Sequence, residues 1–360
     1  MVEKMKKIGF LVGDLGIAGG GERVVCTLAN SLIAKHDVHI FHFGQKHPFP
    51  LNQSVTVHDL KGPFTNKFVR KVYRAYLLRK CVRRERMDLL IAFGWQPSIL
   101  LMFAVLGLNV KIISSERNNP LLEPAGKVLK ILRNLAYRRS SVVVCQTKNA
   151  VNVLSLKNAK IILNPLRDDL PDPEPFEKKT KTIVNFCRLY KQKNLPLLIR
   201  AFSEFYQMRP DYELHIYGDG EERERIMNLI ERLNLGKKVK IFPFCKDVHS
   251  KANSSQIFVS SSDYEGLSNS MLEAMALGLA CVVTDCPIYG ARMVVDNLQN
   301  AILIPMDNQE ELVKSLLFLA ENPLELKRIG QNAVDIRKKL SVETISNEWN
   351  SLICSVLGAV

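Results

Sequence analysis

The chain has 360 residues, 47% of them hydrophobic, and a mean hydropathy of -0.01, which excludes general disorder and allows two domains with buried cores. Its eight cysteines form no CxxC pair, so we expect a reducing compartment and no metal cluster. The net charge of +14 lies in the first part of the chain: residues 1–164 hold 26 Lys/Arg and 9 Asp/Glu (net +17), and residues 165–360 hold 24 and 27 (net -3).

Short β-branched and apolar runs alternate with helical patterns along the chain. In the first half this pattern predicts strands at residues 8–12, 38–43, 89–93, 110–114 and 142–145, with a helix at 22–35. In the second half it predicts strands at 182–186, 213–217, 239–242, 257–260 and 281–284, with helices at 195–207, 221–233 and 269–277. Such alternation indicates an α/β chain with two Rossmann-like, doubly wound parallel-sheet domains.

Residues 165–177 contain four prolines and several acidic residues, a composition typical of a linker. We therefore expect an N-terminal domain at 1–164 and a C-terminal domain at 178–340, facing each other across a cleft. Residues 341–360 are expected to form a C-terminal helix that packs back on the N-terminal domain. The longest apolar stretch, 99–108, is shorter than the roughly 20 residues of a membrane-spanning helix, so we expect a cytoplasmic protein.

The loop after the first predicted strand is rich in glycine and runs directly into a helix. Gly13, Gly16, Gly19, Gly20 and Gly21 allow the backbone to approach a ligand closely, and the amides of a helix start favour an anion. The GxGxxG spacing of a dinucleotide site is absent, and Gly-Gln rather than an acid follows the second strand. A flexible turn is the alternative interpretation of this loop.

The loop after the first strand of the second domain carries two cations, Arg188 and Lys193. Ligands of open parallel sheets bind beyond the carboxyl ends of the strands. Both side chains are therefore placed to neutralise a diphosphate, Arg through paired hydrogen bonds and Lys as a point charge. Solvated surface charges are the alternative.

The loop and helix at 263–278 carry two glutamates eight positions apart. Glu265 lies in a turn of small residues and Glu273 lies inside the predicted helix, so the two carboxylates can contact different parts of one ligand. The alternative is structural, since Ser270 and Glu273 match a capping box that would occupy Glu273. Gly278 is expected to end the helix.

These three loops and three further segments together resemble the retaining glycosyltransferases of family 4, which have the GT-B architecture. The resemblance covers nearly the whole chain, and the six segments in this order are specific. They are AGGGERV at 18–24, Asn-Pro at 164–165, CRLYKQKN at 187–194, IYGDGEERERI at 216–226, EGLSNSMLEAMALG at 265–278 and TDCPIYGAR at 284–292.

The resemblance implies that Arg188 and Lys193 hold the donor diphosphate and stabilise the charge that develops as it leaves. It implies that Glu265 binds hydroxyl groups of the donor sugar and that Glu273 holds the ribose. It further implies transfer with retention of the anomeric configuration, without a metal ion or other cofactor. The remaining implied donor-binding residues are Gly19, Gly20 and Gly21 of the opposite domain, Phe244 and Cys245 near the base, and the backbone of Gly266, Leu267, Ser268, Asn269 and Ser270 at the diphosphate.

One position departs from the family pattern. Many relatives carry a histidine that faces the donor sugar, in an N-terminal segment similar to SEH. Here the segment at 114–120 reads SSERNNP, with Arg117 at the place of the histidine. Because arginine stays charged it cannot act as a base, and we expect Arg117 to bind the acceptor or a phosphate.

Residues 67–86 hold nine basic residues and one acid, interleaved with apolar and aromatic residues. Lys67, Arg70, Lys71 and Arg74 follow helical i, i+3, i+4, i+7 spacing and form one cationic face. Next to anionic lipid each such charge contributes about 1 kcal/mol, so we expect the first domain to bind an anionic membrane surface. A solvated helix face is the alternative.

Together these expectations describe an enzyme at the inner face of the cytoplasmic membrane. It would move a hexose or N-acetylhexosamine from a UDP-sugar, with GDP as the second candidate nucleotide, to a polyprenyl-diphosphate-linked glycan in surface polysaccharide, lipopolysaccharide or glycoprotein glycan assembly. One alternative is a nucleotide-sugar epimerase or hydrolase of GT-B shape, which would consume donor without acceptor. The other is a basic nucleic-acid-binding protein, but no recognised motif supports a nucleic-acid partner.

Overall fold

The computed structural model describes residues 5–13, 20–44 and 49–358, and these form two compact units. Unit 1 comprises the described residues of Met1–Pro165 and of Val342–Val360, and unit 2 comprises Leu166–Ser341. The segment from residue 166 onward, where the linker was expected, is therefore part of unit 2. There the backbone N–H of Leu166 donates to the carbonyl of Leu340 at 2.8 Å.

Unit 1 is built on a parallel sheet with the strand order β3-β2-β1-β4-β5-β6-β7 among the described residues. Its strands are β1 Lys6–Leu11, β2 His36–His42, β3 Thr56–Asp59, β4 Leu89–Phe93, β5 Lys111–Ser115, β6 Val142–Cys145 and β7 Ala159–Ile161. Its helices are α1 Gly20–Leu32, α2 Lys67–Glu85, α3 Trp95–Ala104, α4 Lys127–Arg139, α5 Lys148–Leu154 and, from the far end of the chain, α13 Val342–Leu357.

Unit 2 is built on a second parallel sheet, with the strand order β10-β9-β8-β11-β12-β13. Its strands are β8 Thr180–Phe186, β9 Glu213–Tyr217, β10 Val239–Phe242, β11 Ser255–Ser260, β12 Ala280–Thr284 and β13 Ile302–Ile304. Its helices are α6 Leu195–Met208, α7 Arg223–Arg232, α8 Val248–Ala252, α9 Asn269–Ala276, α10 Gln309–Glu321, α11 Pro323–Ala333 and α12 Ile336–Lys339, with 3-10 turns at Phe176–Lys178, Lys191–Lys193 and Ala291–Met293.

The prediction of two doubly wound parallel-sheet domains is confirmed. Strands β4, β6, β9 and β10 begin and end at the predicted residues. The sequence pattern did not reveal β3, β7 and β13, which have only three or four residues and lie at sheet edges. Strands this short contain too few residues for a period of two to be recognised.

The central strands form the cores because their side chains are apolar on both faces. All five residues of β4 are buried, and Leu89, Leu90 and Ile91 are fully so. Helix α13 contacts α1 in unit 1. Its Trp349 is fully buried and stacks on Phe93 at the end of β4, with ring centroids 5.7 Å apart.

Each sheet has a point at which the strand order reverses. In unit 1 this point lies between β1 and β4, and in unit 2 it lies between β8 and β11. Ligands of doubly wound sheets bind at the carboxyl ends of the strands that flank such a point. Among the described residues, none of the helices is both long enough and apolar enough to cross a bilayer.

Candidate functional site

The two charged loops of unit 2 flank its reversal point. Strands β8 and β11 pair in parallel, with Val184 opposite Phe258. The loop at 187–194 follows β8 and the loop at 261–268 follows β11. Both loops therefore leave the same edge of the sheet, side by side.

Lys193 and Glu265 form an ion pair, and the Ser262 hydroxyl donates to the same carboxylate oxygen at 3.0 Å. The two paired side chains are mostly buried, with 17% and 18% of their surface exposed. Burial alone would lower the pKa of Lys193, but the neighbouring Glu265 carboxylate outweighs it and the pKa is raised. Lys193 is therefore a fixed cation at neutral pH, held next to a carboxylate.

Hydrogen bonds join the two loops along their length. The backbone N–H of Asp263 donates to the carbonyl of Gln192 at 2.9 Å, and the Gln192 side chain donates to the carbonyl of Tyr264 at 2.7 Å. The Ser261 hydroxyl donates to the carbonyl of Lys193 at 3.0 Å. Because these bonds hold the two loops together, the charged groups are pre-organised.

Helix α9 begins directly after the loop at 261–268, which carries Glu265 and is called the glutamate loop below. Ser268 is its N-cap, and the Ser268 hydroxyl accepts the backbone N–H of Met271 at 3.5 Å. The alternative capping box of Ser270 and Glu273 is therefore wrong, since Ser270 already lies in the first turn. The amides of such a helix start favour an anion. Gly278, with φ of +66°, follows the helix as predicted.

The segment after β12 supports the glutamate loop. The Thr284 hydroxyl donates to the carbonyl of Ser262 at 2.6 Å. A Cβ atom on Gly290 would lie 1.5 Å from the carbonyl oxygen of Gly266, so only glycine allows this approach. The small cavity at this edge of the sheet is lined by residues that include Glu265, Gly266, Ser268 and Thr284.

Glu273 lies inside α9 and is 8% exposed. Its carboxylate is hydrogen-bonded at 2.9 Å to Nε2 of His249, from the short helix α8. The His249 ring also packs edge-on against Phe186 at the end of β8, at 5.6 Å. Sequence reasoning missed His249, because a single histidine in a five-residue helix carries no motif.

Arg188 is exposed, and its guanidinium lies 5.1 Å from the centre of the Tyr190 ring. The positive charge of Arg188 works to lower the pKa of Lys193, which indicates that the two cations lie near each other. The glycine segment after β9 packs against the Arg188 loop: a Cβ on Gly218 would lie 1.9 Å from the Cys187 carbonyl oxygen. This close approach fixes the backbone that carries Arg188.

The two residues predicted near the base lie farther along the sheet. Phe244 and Cys245 follow β10, which β9 and β8 separate from β11. Phe244 is 61% exposed. Of the glycines predicted to close over the donor, Gly20 and Gly21 begin α1 of unit 1, and Gly19 lies outside the described residues.

The basic segment forms helix α2 of unit 1. Lys67 and Lys71 are exposed and Arg70 is partly buried. Arg74 turns toward Phe43: its guanidinium donates to the Phe43 carbonyl at 3.3 Å and lies 4.5 Å from the ring centre. The same helix exposes apolar and aromatic side chains, namely Phe68, Val69, Val72 and Tyr76.

Arg117 lies in unit 1, in the loop after β5. Its Nη1 donates to Oδ1 of Asn164 at 2.7 Å. The guanidinium lies 4.5 Å from the centre of the Phe93 ring and 5.7 Å from that of Trp349. No local pattern indicates these two aromatic neighbours, which come from β4 and from α13.

Two family models match the chain. The model "Glycosyltransferase Family 4" matches residues 18–161, and the model "Glycosyl transferases group 1" matches residues 167–335. An uncharacterized glycosyltransferase of Haemophilus influenzae is 29% identical over 97% of this chain and 100% of its own length. A relative from Campylobacter jejuni is 26% identical over 99% of this chain and 100% of its own length. It is a GalNAc-α-(1→4)-GalNAc-α-(1→3)-diNAcBac-PP-undecaprenol α-1,4-N-acetyl-D-galactosaminyltransferase.

Solved structures share the fold. The crystal structure of HepE from Anabaena in complex with UDP superposes with a TM-score of 0.82 at 19% identity, and it covers 97% of this chain and 100% of HepE. This likeness is to GT-B structures with two parallel-sheet α/β domains, as found here. The chain therefore belongs to the glycosyltransferases of GT-B fold, with a family 4 domain followed by a group 1 domain.

Proposed function

We propose that this glycosyltransferase moves a hexose or N-acetylhexosamine from a UDP-sugar to a polyprenyl-diphosphate-linked glycan. The transfer retains the anomeric configuration and needs no metal ion. The observation that carries the proposal is the Lys193–Glu265 pair at the reversal point of the unit 2 sheet, because it combines a fixed cation with a carboxylate where ligands of this fold bind.

The donor diphosphate would bind between Arg188, Lys193 and the start of α9. As the bond between the sugar and the diphosphate breaks, negative charge grows on the departing oxygen, and the two cations stabilise it. Lys193 serves this role well because its raised pKa keeps it charged. A UDP donor is supported by the HepE complex, whose bound nucleotide is UDP.

Glu265 would accept hydrogen bonds from hydroxyl groups of the donor sugar. Its carboxylate has two oxygens, and one is already engaged by Lys193 and Ser262. Glu273 would hold the ribose, with His249 fixing the orientation of its carboxylate. The further proposed donor contacts are the backbone amides from Gly266 to Ser270, Phe244 and Cys245 near the base, and Gly19, Gly20 and Gly21.

The acceptor is proposed from the relatives and from unit 1. The Campylobacter relative carries an undecaprenyl-diphosphate glycan in its name. Unit 1 offers a matching surface on α2, where Lys67, Arg70 and Lys71 lie beside exposed Phe68 and Tyr76. Cations beside apolar side chains suit the interface of an anionic membrane. We therefore place the enzyme at the inner face of the cytoplasmic membrane, in surface polysaccharide, lipopolysaccharide or glycoprotein glycan assembly.

The test is nucleotide release from a panel of UDP- and GDP-sugars in the presence of EDTA, with and without a polyprenyl-diphosphate glycan. The expected result is release from one UDP-sugar that depends on the acceptor and is lost in Glu265→Ala. Glu310→Ala is the matched control, since Glu310 is an exposed glutamate paired with Lys314 in the same unit. The anomeric configuration of the product is read by NMR.

Each other outcome points elsewhere. Release without acceptor would favour a hydrolase or an epimerase. Release only from a GDP-sugar would show that the donor nucleotide is GDP and not UDP. Release that EDTA abolishes would contradict a metal-independent reaction. If no donor is consumed and the protein binds RNA or duplex DNA in a salt-dependent manner, the nucleic-acid interpretation gains support.

A further inference from the structure

The Arg117 guanidinium is oriented by groups from three separate parts of unit 1. Asn164 accepts a hydrogen bond from Nη1 at 2.7 Å. Phe93 and Trp349 stack on each other, and the guanidinium lies 4.5 Å from the first ring centre and 5.7 Å from the second. An amide and two aromatic rings hold an arginine in place without neutralising it.

The backbone of Arg117 is fixed by its neighbour Glu116, which is buried. The Glu116 carboxylate accepts the backbone N–H groups of Arg117 at 2.9 Å and Asn118 at 3.1 Å, and it accepts the Tyr137 hydroxyl at 2.9 Å. This carboxylate is therefore occupied in holding the loop. No hydrogen bond between it and the Arg117 guanidinium is found among the described residues.

The other two nitrogens of Arg117, Nε and Nη2, share one edge of the guanidinium. Nε and Nη2 are buried and have no hydrogen-bond partner among the described residues. The N–H bonds of Nε and Nη2 point in parallel, so this edge matches two oxygens of one carboxylate or phosphate. Nε1 of Trp349 is a further buried donor that has no hydrogen-bond partner among the residues that the structure describes.

The charge of this group favours the same ligand. Burial lowers the pKa of Arg117 to about 10, so the side chain remains a cation at neutral pH. Burying a cation is costly unless a negative charge accompanies it. Nε and Nη2 have no acceptor among the described residues, so the ligand has to bring acceptor oxygens, and the net charge of +17 over residues 1–164 attracts an anion.

We propose that Arg117, held by Asn164, Phe93 and Trp349, is an oxyanion receptor of unit 1 that binds a phosphoryl or carboxylate group of the acceptor through its Nε and Nη2 edge. This inference rests on the proposed transferase function and names the chemistry that the acceptor brings to unit 1. The oxyanion has two possible sources, the diphosphate of the lipid carrier and a carboxylate of an acidic sugar in the glycan.

The first test uses the two tryptophans of the chain as NMR probes. The Trp349 ring centre lies 5.7 Å from the Arg117 guanidinium, whereas the indole N–H of Trp95 donates to Glu123 at 3.4 Å and serves as the internal reference. Protein labelled with ¹⁵N is titrated with pyrophosphate, with glucuronate and with neutral N-acetylglucosamine, and Trp95→Phe assigns the two signals.

Saturable movement of the Trp349 signal is expected with an anion and not with the neutral sugar. A response to pyrophosphate identifies the phosphoryl source, and a response to glucuronate identifies the carboxylate source. Arg117→Met is expected to abolish the response, and Arg117→Lys, which keeps the charge but not the paired edge, to raise the Kd about tenfold. Arg139→Met is the matched control, because Arg139 is an exposed arginine of the same unit.

The proposal is overturned if neither anion moves the Trp349 signal, if the neutral sugar moves it equally, or if Arg117→Met responds as the wild type does. The dispersion of each variant's spectrum reports that the variant is folded. Since no sugar transfer is needed, this result stands apart from the donor panel. In the transfer assay, Arg117→Lys is expected to raise the KM for the acceptor about tenfold and to leave the KM for the donor unchanged.

Discussion

Two mostly buried cations, Lys193 in unit 2 and Arg117 in unit 1, are held in different ways. Unit 2 pairs cations with carboxylates, as Lys193 does with Glu265 and Lys181 with Asp211. The net positive charge of the chain lies in unit 1, and the buried Arg117 of that unit is held by an amide and aromatic rings. The difference shows that paired charges fix the geometry of loops, whereas charges without a carboxylate partner stay available for a ligand from outside.

The largest expected effect comes from breaking the buried pair of unit 2. Lys193→Ala is expected to lower kcat/KM about 10²–10³-fold, because it removes a cation from the departing diphosphate and leaves Glu265 unpaired. The double variant with Glu265→Ala is expected to lose little more, since the two residues act as one unit. Steady-state kinetics of acceptor-dependent nucleotide release measure all three variants.

Lys181→Ala is the control for this cycle, because its pair with Asp211 is exposed on both sides. Exposed pairs contribute little, so activity and Tm should stay close to those of the wild type. Fully additive losses in the double variant would show that Lys193 and Glu265 work independently.

The second prediction concerns the exposed lysines of α2 in unit 1. Lys67→Ala with Lys71→Ala is expected to weaken binding to anionic liposomes about 30-fold, at about 1 kcal/mol per exposed cation. Co-sedimentation at low salt measures the binding. Lys181→Ala with Lys240→Ala removes the same charge from unit 2 and should have a much smaller effect. Equal losses in both double variants would mean that net charge alone, and not the α2 face, directs binding.

The third prediction compares a buried pair with a more exposed pair within unit 2. His249→Gln weakens the hydrogen bond to the buried Glu273 carboxylate, and the expected result is an increase in donor KM of about tenfold with kcat little changed. His215→Gln is the control, because His215 pairs with the more exposed Glu213. An unchanged donor KM in His249→Gln would remove Glu273 from the ribose site.

The smallest effect concerns the histidines of unit 1. Burial and, less strongly, the neighbouring His39 lower the pKa of His58 from 6.5 to about 4. The unfolded chain therefore takes up a proton between these values and the folded chain does not, so stability falls as the pH drops from about 6.5 toward 4. Tm measured across this range should fall less steeply in His58→Gln. Parallel curves for wild type and variant would contradict the assignment.

Long buried strands were predictable from sequence, and features that depend on distant segments were not. Residues 89–93 are an apolar run, residues 213–217 alternate polar and apolar side chains, and both are strands. The edge strand β3 is largely exposed, so it lacks that signal. The spacing of Ser270 and Glu273 offers a capping box as the alternative interpretation, and only the structure shows that Ser268 is the N-cap of α9.

The candidate site was predictable to a similar degree. Arg188, Lys193 and Glu265 follow strands, and a parallel sheet brings loops after neighbouring strands to one edge. The partners that orient the side chains could not be found this way. His249 reaches Glu273 across 24 positions, and Trp349 reaches Arg117 from the far end of the chain. Such contacts depend on tertiary packing and leave no local pattern.

Helix α13 follows unit 2 in the sequence but belongs to unit 1, and this affects the order in which the two units can fold during synthesis. Unit 2 is a continuous stretch, whereas unit 1 is assembled from two stretches on either side of it. Folding during translation generally begins with the segment that leaves the ribosome first. The side of α1 that contacts α13 therefore stays uncovered while unit 2 is synthesised. Trp349 can pack on Phe93 only after all of unit 2 has been made. The ribosome thus completes the later-starting unit before the earlier one.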